Sequence, residues 1–164
     1  MWQPEATRII RYLLDDIDSP QLYSDARLEE SFLIIAQMIQ NDITFTQTYN
    51  IDVDQVILSP DPTEDPKDIA FLNLTCLKTV CMIASAELKK AAREAINIRD
   101  HTISVDMKGV FEAKKVFAKQ MCENYDEARL AFEAGDMLVG SAIIGPYGLG
   151  RSWARDNYNC TMRG

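Results

Sequence analysis

Residues 65–98 read DPKDIAFLNLTCLKTVCMIASAELKKAAREAINI, and the reading of this stretch decides the fold. Asp65 is a suitable N-cap, and Pro66 suits a first helical position. Asp68 puts a negative charge in the first turn, where the helix dipole favours it. From there Ala70, Leu74, Leu77, Cys81, Ala84, Leu88 and Ala91 or Ala92 follow one face at helical spacing. Ile69, Leu72, Cys76, Val80 and Ile83 make a second apolar face over the first half only. A helix apolar on two faces must be surrounded, so 69–84 is expected to be the central core helix. The second half, ELKKAAREA, is amphipathic and expected to be partly exposed. At ~1.5 Å per residue the whole helix is on the order of 50 Å long, enough to project past a small body.

On the N-terminal side, Ala6, Ile9, Ile10, Leu13, Leu14 and Ile17 recur at helical spacing behind Pro4, which predicts a first helix over about 4–16. Asp18, Ser19 and Pro20 should end it. Ser24 is the expected N-cap of a second helix running to about Asn41, with Leu28, Phe32, Ile35, Ile39 and Ile43 as its stripe. Residues 44–58, TFTQTYNIDVDQVIL, swap helix formers for β-branched and aromatic types and predict one or two short strands. A loop with three prolines and three acids, SPDPTEDP, follows.

On the C-terminal side, HTISVDM (101–107) alternates like a short strand and is expected to pair with 51–58. A last helix is predicted over about 108–134, with Val110, Phe117, Met121, Tyr125, Ala128 and Phe132 as its stripe and Gly135 as its stop. Leu74, Leu77, Cys81 and Phe117 are expected core residues. The fold class is therefore mainly α: a helical bundle with a long central helix, a small antiparallel β element (about 51–58 and 101–106) and an extended C-terminal arm.

The arm stands apart by composition. Of 7 glycines only Gly109 precedes residue 135, so 1–135 reads as a body and 136–164 as different material. Glycine and Pro146 work against a helix there. Yet Ile143, Ile144, Tyr147, Leu149, Trp153 and Tyr158 make the segment apolar and aromatic, unlike a disordered tail. Such a segment is expected to bury itself on another surface, with Arg151 and Arg155 available for a partner's carboxylates.

Charge and chemistry narrow the function. The net charge of −8 argues against a non-specific grip on nucleic acid. The 4 cysteines, Cys76, Cys81, Cys122 and Cys160, lack metal or redox spacing and read as small buried residues in a reducing compartment. MWQPEATRII has no apolar run of a signal peptide, and no stretch approaches 18 consecutive apolar residues, so no membrane span is expected. His101 lies between Asp100 and Thr102 and reads as a surface-turn histidine rather than a catalytic base. The acidic clusters at 15–18, 52–54 and 61–65 lack the calcium-loop pattern and read as solvated loops. GPYGLG (145–150) lacks the Lys-Ser/Thr of a phosphate loop. The expectation is a non-enzymatic chain with no cofactor and no metal.

The order of elements resembles the head-to-tail adaptor (connector) proteins of tailed bacteriophages. The segments that carry the likeness are RIIRYLLDDIDSPQLYSDARLEESFLIIAQMI, DIAFLNLTCLKTVCMIASAELKKAA, INIRDHTISVD and the arm VGSAIIGPYGLG. The resemblance implies a virion subunit made in the host cytoplasm. It would form a ring, typically of twelve, beneath the portal and offer a face to the next neck or tail protein. DNA would pass through the channel without sequence-specific binding. The resemblance also implies that residues 136–164 grip the portal, with Ile143, Ile144, Tyr147, Leu149, Arg151, Trp153, Arg155 and Tyr158 as contact residues. The alternatives are another neck, tail-completion or terminator protein, or a small helical regulator or enzyme.

Overall fold

The computed structural model describes residues 1–97 and 107–135. Within them lie four helices and one hairpin: α1 (Gln3–Leu14), α2 (Asp25–Asp42), β1 (Asn50–Asp52), β2 (Ile57–Ser59), α3 (Ile69–Asn97) and α4 (Met107–Glu133). The fold is mainly helical with a small antiparallel sheet. Residues 101–106 of the expected strand, the expected arm at 136–164, His101 and Cys160 lie outside the described residues, and Met107, the last residue expected in that strand, opens α4 instead.

The helix ends follow local chemistry. Ser24 caps α2, its Oγ accepting the Arg27 N–H at 3.4 Å. Gly135 stops α4 in the left-handed region at φ +72°, its N–H bonded to the Phe132 carbonyl, a conformation glycine enters without a Cβ penalty. The start of α3 differs from expectation: the cap is Asp68, not Asp65. The Asp68 Oδ1 accepts the Phe71 N–H at 2.9 Å, and Oδ2 accepts the Tyr49 hydroxyl at 2.8 Å. A carboxylate tied to both the helix start and a neighbouring aromatic holds the entry three residues later.

The segment expected to form strands folds back on itself. β1 and β2 pair antiparallel with Asn50 opposite Ser59, Ile51 opposite Leu58 and Asp52 opposite Ile57. Asp52 Oδ1 accepts the Gln55 N–H at 3.0 Å and tightens the turn. Gln40, near the end of α2, brackets Tyr49 by donating to its carbonyl and accepting its N–H, which ties the hairpin to the helices.

α3 is the central helix. An unbroken run from Phe71 to Leu77 is buried, together with Val80, Cys81 and Ala84. One cluster joins Trp2, Ala6 and Ile10 of the α1 region to Leu28 and Phe32 of α2 and to Phe71, Leu72, Cys76 and Val80 of α3. A second joins Ile35, Ile39, Ile43, Leu74, Leu77, Tyr125 and Ala128. Trp2 stacks on Phe32, and Tyr49 stacks on Phe71. Thr75 and Thr79, also fully buried, donate to the carbonyls four residues earlier at 2.7 Å each, so the apolar helix carries no orphaned hydroxyl there. Over Ile69–Arg93 the helix is long and apolar enough to cross a bilayer. In this fold 61% of its most apolar window is buried against the rest of the protein, as a core helix requires.

Five further expectations change. Ile17 is 57% exposed because α1 ends at Leu14, and Asp15 turns the chain through a left-handed φ of 57°. Val110 is 52% exposed, and Ile69 stays half-exposed at the helix start. Phe117 packs against the first cluster but is only partly buried. Lastly, Cys81 and Cys122 are not isolated thiols: they form a disulfide with Cα atoms 4.7 Å apart. α3 and α4 run antiparallel, with Glu87 bonded to Lys114 at 3.2 Å, so the register that pairs those two also faces Cys81 with Cys122. Among the described residues Cys76 is the free thiol; it is buried, and burial pushes its pKa up.

The cross-link closes a loop of 41 residues, for which chain entropy gives about 4 kcal/mol at most. Reduction with a phosphine should lower unfolding free energy by about 2–4 kcal/mol in urea titrations, with the helical circular dichroism retained. An unchanged midpoint would show that the helix packing alone carries the α3–α4 contact.

Candidate functional site

α1 and its connection to α2 build a charged centre around a buried arginine. Arg11 lies on the inward side of α1 and is only 8% exposed. Its Nη1 donates to Asp16 Oδ2 at 2.7 Å, and its Nη2 to the Tyr23 carbonyl at 2.7 Å and to Asp25 Oδ1 at 2.6 Å. Nε donates to the same Asp25 oxygen at 3.2 Å. Asp16, 4% exposed, also accepts the Leu22 N–H at 2.7 Å and the Tyr23 N–H at 3.3 Å. One guanidinium thereby fixes the end of α1, the connecting loop and the first residue of α2. A buried charge of this kind is tolerable because every side of it is paired.

Beside this network a groove of about 540 Å³ opens between α1 and α2. Pro4, Tyr12 and Ile17 supply its apolar wall, while Arg8, Asp25 and Glu29 supply charge. Burial, with the Asp25 charge second, pushes the Glu29 carboxyl up. Two lining atoms, Gln3 Oε1 and Thr7 Oγ1, are buried without a hydrogen-bond partner. Tyr12, Ile17 and Leu22 leave large apolar surface exposed along the same edge.

Arg11 is saturated by Asp16, Asp25 and a carbonyl, so it positions the loop rather than receiving a ligand. Among the described residues no group of three His, Cys, Asp or Glu side chains could hold a metal ion. What the groove offers is an apolar wall with two arginines and two carboxylates, of which Arg11 and Asp25 are already paired with each other; the oxygens of Gln3 and Thr7 lie buried beneath it.

Sequence reasoning placed its site residues elsewhere. Ile143, Ile144, Tyr147, Leu149, Arg151, Trp153, Arg155 and Tyr158 all lie outside the described residues. Arg11, Asp16 and Asp25 were missed. The available signal was Arg11 itself, a charge next to Ile10 on the side of α1 that Ala6 and Ile10 mark as apolar, followed by a run of acids. No family model matches the chain, and no significant match was found among curated proteins or solved structures.

Proposed function

We propose that this chain is the repeating subunit of a ring, of twelve copies, that joins the portal of a phage head to the tail and extends the DNA channel. Residues 136–164 are its portal-binding arm. The observation that carries the reading is the order of elements. Two N-terminal helices lead through a β-hairpin and an acid- and proline-rich loop into a long core helix. A fourth helix ends at Gly135, and a glycine-rich apolar and aromatic segment follows. The net charge of −8 suits a channel wall along which DNA slides without sticking. A released virion meets an oxidising medium, in which a bond such as Cys81–Cys122 persists. No catalytic step and no cofactor belong to this function.

Native mass spectrometry of the full-length protein, alone and then mixed with portal, tests it. The expected particle is a closed ring of twelve that binds the portal. A chain that stays monomeric at every concentration, or a ring indifferent to the portal, overturns the reading.

A further inference from the structure

The disulfide between Cys81 and Cys122 divides the α3–α4 pair into two halves that are held unequally. Toward the C-terminus of α4, Tyr125, Ala128 and Phe132 pack with Ile35, Ile39, Leu74 and Leu77 in the second core cluster. Toward its N-terminus the hold is thinner. Of residues 109–121 only Ala118 is buried, and of the facing residues 86–93 on α3 only Ala91. Phe117 and Met121 rest partly buried on the first cluster, and Lys114 reaches Glu87 at 3.2 Å. The side chains of that ion pair are 40% and 33% exposed, so solvent screens it. The bond at the boundary is reachable and has room for both of its states. Cys81 is buried, but Cys122 is only partly so. As a thiol, Cys122 has partners in place: its S–H can donate to the Cys81 carbonyl 3.7 Å away, and its sulfur can accept from the Ser85 hydroxyl at 3.8 Å. Cys76 is fully buried and burial keeps it protonated, so it does not compete in exchange.

We propose that Cys81–Cys122 is a reversible thiol–disulfide switch that sets how firmly the thinly held half of the α3–α4 pair, residues 86–93 and 109–121, is ordered. The co-reactant is a low-molecular-weight thiol such as glutathione. One thiolate attacks the sulfur of the more exposed residue, Cys122. The S–S bond breaks, a mixed disulfide forms, and Cys81 leaves as a thiolate that takes up the proton the attacking thiol gave up. A second thiol attacks the small-molecule sulfur of the mixed disulfide, and Cys122 leaves and is protonated in turn. The sum converts one protein disulfide and two small thiols into two cysteine thiols and one small disulfide, and the reverse reaction closes the bond again. Closed, the bond limits how far α4 parts from α3 at residue 122. Open, the far half keeps a surface ion pair, two alanines and the partly buried Phe117 and Met121, so it unfolds locally more often while the near half stays in the core. A cytosolic thiol pool favours the open form and an oxidising medium the closed one. The inference is independent of the ring reading.

The test uses full-length protein equilibrated in glutathione buffers of graded oxidised-to-reduced ratio. Alkylation followed by peptide mass spectrometry reads the fraction in which Cys81 and Cys122 are linked. Hydrogen–deuterium exchange reads local order in the fully oxidised and fully reduced samples. The linked fraction should rise with the share of oxidised glutathione and follow one curve from both directions. On reduction, exchange within 86–93 and 109–121 should speed up about tenfold or more, while 71–80 and 125–132 change by less than about twofold. Reoxidation should restore slow exchange. Cys122→Ser should exchange like the reduced protein in either buffer; if that variant does not fold, the wild-type comparison decides alone. A bond that resists reduced glutathione until the whole protein unfolds overturns the switch. So does exchange that changes equally in both halves or in neither, or a bond from Cys122 to a different cysteine.

Discussion

Deleting residues 136–164 should leave a soluble, folded body that no longer joins portal-bearing heads, so that full heads accumulate without tails. The body should survive because the described core is drawn from residues between Trp2 and Phe132. Attachment should be lost because the segment concentrates large apolar side chains, Ile143, Ile144, Tyr147 and Leu149, each worth ~1.5–3 kcal/mol when fully buried. Trp153 and Tyr158 are residue types that anchor interfaces, and Arg151 and Arg155 can fork onto carboxylates. Its glycines let backbone lie close against another protein or extend a sheet edge. Electron microscopy of lysates and a head-tail joining assay measure the outcome. If the truncated protein still joins the portal and supports tail attachment, the binding surface lies on the helical body instead.

Asp16→Ala should destabilise the fold by about 3–5 kcal/mol, the range for removing one partner of a buried ion pair. The loss has two parts. Arg11 would keep Asp25 and the Tyr23 carbonyl but lose its most buried counter-charge. The N–H groups of Leu22 and Tyr23 would lose their acceptor, and the chain between α1 and α2 its anchor. Asp16→Asn keeps an acceptor oxygen and the shape while removing the charge, so it should cost less than Asp16→Ala. Urea unfolding followed by circular dichroism gives both values. A loss below about 1 kcal/mol for Asp16→Ala would mean that solvent replaces the carboxylate, and that the loop is held by packing of Tyr23 and Leu28 instead.

Much of the helical framework was legible because its signals are local. The stripe Leu28, Phe32, Ile35, Ile39 and Ile43 is buried throughout, since residues three and four apart share a helix face whatever the partner. The two apolar faces of 69–84 mark a surrounded helix for the same reason. Ser24 and Gly135 act at their ends through bonds to residues three positions away. The candidate groove was not legible, because its parts come from α1, α2 and the loop between them.

The sequence by itself determined where helices form, which face of α2 turns inward and that α3 is the core. Periodicity and capping depend on neighbours within one turn. Tertiary structure alone decided that Arg11 meets Asp25 fourteen residues away, that Cys81 meets Cys122 forty-one residues away, and that Asp68 rather than Asp65 starts α3. It also left Val110 exposed on a stripe whose later members Tyr125 and Ala128 are buried. These outcomes depend on how far each helix extends past its neighbour and in which register two helices cross. Neither quantity leaves a mark on the spacing of residues within a single helix.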